Sequence, residues 1–507
     1  MLKSTDIAAL ASVVLLAACG GTGPGGLEFV GDTRLDSAEV NDDPDSQGTK
    51  MCLTDAGHVY VLWLDNRRDS SDPRSDIWLN RSLDRGDSWL QAPVRVNHED
   101  SNVFNAELHC NSRGVFVVWE DDRDGELENH QIYFNKSTNL GETFLDEDIL
   151  LEVFDVEGNS MSLEPKIIGS TKPGSEDELF VTWYDNLNGA YDILVTSSGD
   201  SGETWRDPVR VDSDQPAGSA YSARPKIAVS DDALDVFVVW EDSRDGAADV
   251  YFARSVSGGV SWENDDRLDV GDGAGAWNSF EPQICTNGDE SVYVVWHDAR
   301  NGEGRDVFYN YSPDSGADWS SEAERIDSDP AGLNNSLFPV CVAEGSSAHV
   351  AWQDNRNDGY DIFYRQIRDG LLDDPEVRLD IGDIEGGANS LGTTIANDRQ
   401  AVMVAWRDGR SEARQGVSNG FEDLHYQHFG ATGFDRETAE VDSDFRVDSW
   451  YDGQSFKTDL NIAVLGGEWY AAWTDGRNGS LDVFFRRLAL GEAATPPPID
   501  ELNGNLN

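Results

Sequence analysis

The chain has 507 residues, with 96 Asp and Glu against 38 Lys and Arg, so its formal net charge is −58. This charge disfavours binding to nucleic acid or to an anionic membrane surface, because both are polyanions. Aromatic residues make up 10% of the chain, whereas disordered acidic chains are poor in them. The composition therefore predicts a folded acidic protein that has no nucleic-acid partner.

The first 18 residues are predicted to be an export signal. Lys3 precedes an apolar run from Ile7 to Ala18, which is too short to span a bilayer and ends in small residues. The sequence Leu16-Ala17-Ala18-Cys19 resembles the bacterial lipoprotein box, in which the Cys becomes the lipidated first residue. The resemblance implies a soluble domain held in the bacterial cell envelope, at the outer membrane or cell surface, by Cys19 and a flexible tether at 19–30. The alternative is an ordinary signal peptide followed by a chance Cys.

A segment of the form Trp-x-Asp, followed in seven copies by x-Arg, recurs eight times along the rest of the chain. Short strands with alternating polarity flank every copy, turns rich in Gly, Asp and Asn separate them, and helical periodicity is absent. Repeated units of four short strands are typical of β-propeller blades, which bury their faces against their neighbours. The Trp residues of the eight copies are Trp63, Trp119, Trp183, Trp240, Trp296, Trp352, Trp406 and Trp473.

The outer strands predict how the ring closes. The segment TRLD at 33–36 resembles outer strands such as VRVN at 94–97, precedes the first copy and has no blade of its own, while the eighth unit lacks an outer strand. We therefore expect residues 33–36 to complete the last blade and remove an exposed sheet edge. This gives an all-β, eight-bladed propeller of four-stranded blades over roughly residues 31–490, followed by a disordered tail at 491–507. A seven-bladed ring with one stray unit is the alternative.

Four cysteines follow Cys19, and export permits them to form disulfides. Cys52 and Cys110 lie on the inner strands of adjacent predicted blades, and so do Cys285 and Cys341. Four cysteines allow three connectivities, and this placement makes 52–110 and 285–341 the expected pairs.

A second motif lies between the third and fourth strands of several units. Clear copies are SLDRGDSW (82–89), SGDSGETW (198–205) and SPDSGADW (312–319), with weaker copies at 137–144 and 255–262. The motif resembles the Asp box of the bacterial neuraminidase repeat, and the chain thereby resembles the sialidase-like propeller superfamily. In that superfamily the box is a turn device on the face opposite the active site. The resemblance therefore implies a structural role for Asp84, Asp200 and Asp314.

The Trp-x-Asp-x-Arg turns belong to the functional face of a propeller. Asp is present in all eight turns and Arg in seven, with Leu187 in the third. A side chain that recurs around the ring favours a scaffold role, in which Asp caps the turn and Arg bridges to a neighbouring blade. The alternative is a ring of cationic side chains for an anionic ligand.

The acidic links between blades offer oxygen ligands. Asp212, Asp214, Asp269 and Asp272 are candidate ligands for Ca²⁺, although no EF-hand spacing is present. The alternative interpretation is solvated turn carboxylates, and no other cofactor or metal is predicted.

Residues that vary around the regular ring are the best candidates for ligand binding. Counting two residues on from a recurring Ser at the start of each inner strand gives a variable row, and counting four gives the next row inward. The first row is predicted as Gly48, Phe104, Glu164, Arg224, Glu281, Phe338, Gly392 and Lys457, and the second as Lys50, Ala106, Lys166, Lys226, Gln283, Val340, Thr394 and Asp459. The predicted site comprises Lys50, Glu164, Lys166, Arg224, Lys226, Glu281 and Lys457, which would bind a carboxylate sugar or a sulfated glycan. The alternative is a self-neutralising, water-filled channel.

Two functions are compatible with these patterns. The first is a noncatalytic, lipid-anchored propeller that binds an extracellular glycan or protein. The second, implied by the resemblance, is a glycoside hydrolase of the exo-α-sialidase type, which needs three Arg around a carboxylate, a Tyr–Glu pair and an Asp acid/base. Arg224 in Ala223-Arg224-Pro225-Lys226 is the nearest match to the first Arg, and Tyr221 and Tyr451 lie in functional-face links. No catalytic residues are assigned.

Overall fold

The computed structural model describes residues 32–36, 45–67, 74–123, 129–152, 160–214, 216–288, 290–372, 375–381, 385–398, 401–410, 422–430, 445–447, 457–477 and 480–489. The predicted signal at 1–18, Cys19, the tether at 19–30, Tyr451 and the tail at 491–507 lie outside these residues. Within the described part of the chain, no helix is long and apolar enough to cross a membrane.

The strands form eight antiparallel sheets, numbered here as blades 1–8 in chain order. The first strand is β1 (Thr33–Arg34). Blades 1 and 2 comprise β2 (Gln47–Leu53), β3 (Val59–Asp65), β4 (Asp76–Ser82) and β5 (Val94–Arg95), then β6 (Val103–Cys110), β7 (Val115–Asp121), β8 (Gln131–Ser137) and β9 (Ile149–Leu150). Blades 3 and 4 comprise β10 (Ser162–Gly169), β11 (Leu179–Asp185), β12 (Asp192–Ser198) and β13 (Val209–Arg210), then β14 (Ser222–Val229), β15 (Val236–Asp242), β16 (Asp249–Ser255) and β17 (Asp266–Arg267).

The second half of the ring repeats this plan. Blades 5 and 6 comprise β18 (Ser279–Thr286), β19 (Val292–Asp298), β20 (Asp306–Ser312) and β21 (Glu324–Arg325), then β22 (Ser336–Glu344), β23 (Ser347–Asn357), β24 (Gly359–Arg368), β25 (Leu371–Leu372) and β26 (Val377–Arg378). Blades 7 and 8 comprise β27 (Ser390–Asp398), β28 (Ala401–Asp408), β29 (Asp423–Gly430) and β30 (Phe445–Arg446), then β31 (Lys457–Leu465), β32 (Glu468–Asp475) and β33 (Asp482–Ala489). In blade 6, both β25 and β26 pair with β24.

The inner strands surround a central channel. Each first strand of a blade contacts the first strand of the next blade, and β31 contacts β2 to complete the circle. The protein is therefore an eight-bladed β-propeller, which confirms the predicted architecture rather than the seven-bladed alternative.

The ring is closed by the strand that precedes blade 1. β1 pairs with β33, with Thr33 opposite Phe485 and Arg34 opposite Phe484. The Leu35 N–H donates to the Val483 carbonyl at 2.8 Å. The start of the propeller thus supplies the outer strand of its last blade, as the count of outer strands predicts, and covers an edge that would otherwise be open.

The hydrophobic core lies in the seams between blades. The second strands, such as β3 and β15, are buried along their whole length because the neighbouring blades cover both faces. This explains why they read as nearly continuous apolar runs rather than as alternating ones. At the seam between blades 8 and 1, Leu35, Trp63 and Phe485 belong to one buried cluster.

Two disulfides also cross seams. Cys52 is bonded to Cys110 between blades 1 and 2, and Cys285 to Cys341 between blades 5 and 6. These are the pairs that the placement on adjacent inner strands indicates. The Cα–Cα distance is 5.9 Å in both, within the usual range for a disulfide.

The motifs that resemble Asp boxes hold the turns between the third and fourth strands. Asp84 accepts hydrogen bonds from the Ser82 hydroxyl at 2.7 Å and the Ser88 N–H at 2.8 Å. Asp200 and Asp314 bind the corresponding Ser and backbone groups of their own turns. Within the described structure, these motifs therefore stabilise the turns.

The glycine and tryptophan of the box also pack against the preceding blade. Trp89 lies edge-on to Phe485 with ring centroids 4.7 Å apart. Gly86 has φ of +89°, and a Cβ at this position would lie 2.4 Å from the Phe485 ring. Glycine is thus required both by the backbone conformation and by the close approach of the ring.

We predict that Leu35→Ala destabilises the propeller by about 3 kcal/mol, because it removes a buried side chain from the closing seam. Leu35 is 1% exposed, whereas Leu371 is 66% exposed. Leu371→Ala is the matched control, for which we expect a change within about 0.5 kcal/mol. Guanidinium chloride denaturation measures both changes, and equal midpoints for the two variants would contradict closure by residues 33–36.

Candidate functional site

The Asp of each Trp-x-Asp turn fixes the functional face. In all eight copies, the N–H two residues later donates to this Asp at 2.8–2.9 Å. The Trp indole N–H donates to the same carboxylate in every blade except the third. The Asp therefore caps the turn and ties it to a buried Trp, as a scaffold role requires.

In several blades the Arg of the motif connects the blade to its predecessor, directly or through a carboxylate. Arg300 donates to the carbonyl oxygens of Asp269 and Val270 in the link from blade 4, both at 3.0 Å. Arg244 reaches the same kind of link through Asp265, which also accepts the Ser213 N–H at 2.9 Å. These guanidinium groups are engaged by the scaffold, which disfavours the alternative of a cationic ring open to a ligand.

The link carboxylates considered for Ca²⁺ surround arginines. Asp212 and Asp214 lie beside Asp192, with carboxylate oxygens within 4.8 Å of one another. Arg210 reaches this group, with Nη1 2.6 Å from Asp214 and 3.2 Å from Asp192. Arg210 of the chain itself thus supplies the positive charge beside these carboxylates.

The cluster that contains Asp269 and Asp272 has the same construction. Arg267 lies 2.7 Å from Asp269, 2.5 Å from Asp272 and 3.4 Å from Asp249. The arginine in each cluster favours a structural function for these acidic links.

Every inner strand carries a β-bulge at the same level of the channel. The register between the first and second strands shifts there in all eight blades. One residue at each bulge has φ between 45° and 65°, a conformation that costs a non-glycine residue about 1 kcal/mol or more. Because the inner strands encircle the axis, these residues form a ring, here called the mouth ring. Its members are Gly48, Asn105, Glu164, Arg224, Glu281, Phe338, Gly392 and Asp459.

The predicted variable row is correct in six blades and wrong in two. In blade 2, Phe104 pairs with Glu120, and the bulge residue is Asn105. In blade 8, Asp459 rather than Lys457 holds the bulge. Counting from the recurring Ser fails here because Val103 and Lys457 occupy the Ser position of the pairing.

Lys457 is therefore not a channel residue. It is 0% exposed, and its ammonium donates to the Glu422 carbonyl at 2.8 Å and lies 3.7 Å from Asp423. Of the seven predicted ligand-binding residues, the other six lie on the mouth ring or on the row below it.

Sequence reasoning missed the residue between Trp and Asp in each motif. This residue pairs with the residue just before the bulge, and in four blades it accepts the N–H of the next blade's mouth-ring residue. Glu120 accepts the Glu164 N–H at 2.6 Å, and Glu241 accepts the Glu281 N–H at 2.8 Å. The sequence does show that this position varies while the rest of the motif is nearly constant. Its residues in the eight copies are Leu64, Glu120, Tyr184, Glu241, His297, Gln353, Arg407 and Thr474.

Three consecutive blades bring five of these side chains together as the mouth cluster, defined as Glu164, Tyr184, Arg224, Glu241 and Glu281. Tyr184 donates to Glu164 at 3.3 Å. Arg224 lies 3.3 Å from both carboxylate oxygens of Glu241 and 3.6 Å from Glu281. The cluster thus combines three carboxylates, one guanidinium and one phenol around the channel mouth.

Burial changes the proton affinities within the cluster. It raises the pKa of Glu241, and the Glu281 N–H and Arg224 offset this only in part. Burial, followed by the negative charge of Glu164, raises the pKa of Tyr184 well above its ordinary value. The Tyr184 hydroxyl therefore remains protonated at neutral pH and acts as a hydrogen-bond donor.

An aromatic surface adjoins the mouth cluster. Tyr184, Tyr191 and Tyr221 follow one another edge to face, with centroids 5.0 and 5.3 Å apart. Tyr221, at the outer end, is 47% exposed. Phe104 and Phe338 are also exposed beside the mouth, so apolar rings and polar groups meet on the same face.

Lysines line the channel one row below. Lys50 lies 3.0 Å from Glu107 Oε1, and Lys166 forms an ion pair with the same oxygen. Burial raises the pKa of Glu107, but the two ammonium groups outweigh it and bring the pKa to about 2. Glu107 was missed because the one-residue shift in blade 2 put Ala106 at this level.

A cavity of about 470 Å³ opens between blades 7 and 8. Its lining includes Gly392, Thr394, Arg407, Thr458 and Asp459. Gly392, at the mouth-ring position of blade 7, lies close to Arg407, since a Cβ there would come within 2.9 Å of Arg407 Nε. The cavity is lined by hydroxyl, guanidinium and carboxylate groups, which suit a polyhydroxylated ligand.

The chain matches no protein-family model and no curated protein. Among solved structures it resembles polysaccharide lyase Uly1, at 11% identity over 92% of this chain and 94% of that chain, with a TM-score of 0.45. It also resembles a Penicillium chrysogenum α-L-arabinanase complexed with arabinobiose, at 13% identity over 66% and 94%, with a TM-score of 0.39. The sialidase NanB from Streptococcus pneumoniae gives 12% identity over 75% and 67%, with a TM-score of 0.36. At such low identities and TM-scores, any activity must be argued from the residues of this chain.

We predict that Glu107→Gln destabilises the propeller by about 2 kcal/mol at pH 7, because two partly buried ammonium groups lose their shared partner. The folded-state pKa of Glu107 lies below the ordinary value of 4.5. Its contribution is therefore present above pH 4.5 and is lost as the pH falls towards 2. Denaturant unfolding should show the difference from the wild type shrinking over that interval.

The matched control is Glu263→Gln. The Glu263 side chain is 50% exposed and pairs with Arg254 at the surface, so we expect a change below about 0.5 kcal/mol. If the difference in unfolding free energy between the wild type and Glu107→Gln were the same at pH 5 and pH 2.5, the assigned ion pairs would be contradicted.

Proposed function

We propose that this protein binds a glycan at the mouth of its channel, as a noncatalytic propeller held in the bacterial cell envelope. The observation that carries the proposal is the mouth cluster, which gathers hydrogen-bonding groups from three strained ring positions and two adjacent second strands beside the exposed Tyr221. The scaffold requires the bulges in every blade, but it does not require these particular side chains. Apart from Glu241, which also accepts the Glu281 N–H of the next blade, the side chains of the cluster are therefore better explained by a ligand than by the fold.

The groups at the mouth match those of a sugar ring. Carboxylates accept hydrogen bonds from hydroxyl groups, while Arg224 and Tyr184 donate to hydroxyl or ring oxygens. Exposed aromatic rings present apolar faces on which the C–H face of a sugar packs. The cavity between blades 7 and 8, which combines polar side chains such as Arg407 and Asp459 with the apolar Leu460, provides a second concave region. This combination favours a glycan over a protein partner, whose interface would need a broad patch with an apolar core.

A specific contact favours hydrolysis as the second candidate function. Tyr184 and Glu164 form the Tyr–Glu pair that a sialidase-type hydrolase requires. Two features weigh against it. The raised pKa of Tyr184 opposes its ionisation as a nucleophile. A sialidase-type site also needs three arginines around one carboxylate. Arg224 contacts the carboxylates of the mouth cluster, whereas Arg407 pairs with Glu422.

We predict that Tyr221→Ala weakens glycan binding about tenfold, since it removes a stacking surface worth about 1.4 kcal/mol. A glycan array of neutral, uronic-acid and sulfated oligosaccharides identifies the ligand, and isothermal titration calorimetry measures its affinity for each variant. The matched control is Val260→Ala, which truncates an exposed side chain in the Asp-box turn of blade 4 on the opposite face.

The same preparations discriminate between the two functions. Wild-type protein and the Tyr184→Phe variant are incubated with fluorogenic sialosides and with the array hits. Turnover by the wild type that Tyr184→Phe abolishes would replace the binding proposal with hydrolysis. Equal affinities of the wild type and Tyr221→Ala for every array hit would remove the mouth as the binding site.

The cell-envelope part of the proposal rests on Cys19 and the apolar run before it. We predict that Cys19→Ala moves the protein from the membrane fraction to the soluble fraction of the producing bacterium, because lipidation supplies the anchor. Metabolic labelling with an alkyne fatty acid reports the modification directly. Thr22→Ala, in the tether, is the control that should keep both the label and the membrane association. An unlabelled wild-type protein would refute the anchor.

A further inference from the structure

The row below the mouth ring carries an excess of positive charge over four consecutive blades. At this level stand Lys50, Glu107, Lys166 and Lys226, each paired across its sheet with the residue before the Trp of the motif. Three ammonium groups face one carboxylate, which leaves a formal charge of +2. This excess lies inside a chain whose total charge is −58.

Lys226 is the side chain that the scaffold leaves uncompensated. Lys50 and Lys166 share Glu107, but no hydrogen bond or ion pair is formed by the Lys226 ammonium among the described residues. Burial and the charge of Lys166 lower the pKa of Lys226, while Glu281, Glu107 and Glu164 act on it in the opposite sense. A partly buried ammonium beside another ammonium costs free energy that an anion would recover.

We propose that Lys166 and Lys226 form an anion subsite in the channel, which receives a carboxylate or sulfate group carried by the glycan. This deepens the proposed function, on which it rests, by naming the ligand class as a sugar with a small anionic substituent. Because the lysines lie below the mouth ring, they set the orientation of the bound sugar. The anionic group points into the channel, and the sugar hydroxyls remain at the carboxylates of the mouth cluster.

The carboxylates above the subsite act as a filter. A polyanion such as a nucleic acid would bring further negative charges against Glu164, Glu241 and Glu281, and like charges in this position are repelled. A sugar with one anionic group and several hydroxyls can bind the lysines with the anionic group and the mouth carboxylates with the hydroxyls. Inorganic sulfate shares the anionic chemistry but lacks the hydroxyl groups, so the two sources are separable by experiment.

The test compares Lys226→Met with the wild type by calorimetry and thermal unfolding at low ionic strength. The probes are sodium sulfate, glucuronic acid and its neutral counterpart glucose, with sodium chloride at matched ionic strength as the reference. We expect sulfate and glucuronic acid to raise the melting temperature of the wild type beyond chloride. Lys226→Met should lose at least fivefold in affinity for both anions. Lys172→Met is the matched control, because Lys172 is exposed and pairs with Asp231 at 3.0 Å.

Two further variants make the outcome decisive. Lys226→Arg retains the charge and should retain anion binding, while Lys226→Met without ligand should melt above the wild type because the repelled ammonium is gone. Tyr221→Ala should lose glucuronic acid but keep sulfate, so failure of the glycan site and failure of the anion subsite give different patterns. Equal stabilisation of the wild type and Lys226→Met by sulfate, or none in the wild type, would overturn the subsite.

Discussion

The carboxylate of the Trp-x-Asp turn is the interaction on which the rest of the structure depends. In blade 4, Asp242 accepts the indole N–H of the buried Trp240, the Arg244 N–H and the Ser222 hydroxyl of the inner strand. One side chain thus joins the core, the turn and the strand that faces the channel. The Ser–Asp contact recurs in blades 3 to 7, where it fixes the height of the inner strand relative to the turn.

The seams show how such an acidic chain remains folded. Ser390 Oγ lies 2.7 Å from Asp380 and 3.2 Å from Asp408, although a hydroxyl has a single proton to donate. Burial, followed by the charge of Asp361, raises the pKa of Asp380 to about 7. A protonated Asp380 can donate to Ser390 Oγ, and an ionised Asp380 is paired with Arg378 at 2.8 Å. Protonation and the arginines of the links together reduce the cost of burying these carboxylates.

The sequence predicts the architecture well because the repeated groups have one physical role each. Trp63 and its seven counterparts mark the blades, and the spare segment at 33–36 marks the closure. The candidate site is predicted less well. The bulges depend on backbone conformation rather than on residue type, so counting from Ser misplaced Lys457 and missed Asn105 and Glu107. The residue before the Asp, such as Glu241, gains meaning only when the next blade brings an N–H to it.

The asymmetry of the mouth follows from what fills the ring of bulges. Arg224 and Phe338 adopt positive φ with full side chains in blades 4 and 6, whereas Gly392 in blade 7 lines the cavity between blades 7 and 8. The eightfold scaffold holds both in the same backbone conformation, so exchanging side chains there alters the surface while the blade pairing is retained. Ligand recognition can therefore differ among propellers of this plan through the mouth residues alone. The cost is local strain at each non-glycine bulge, which the seams are rigid enough to maintain.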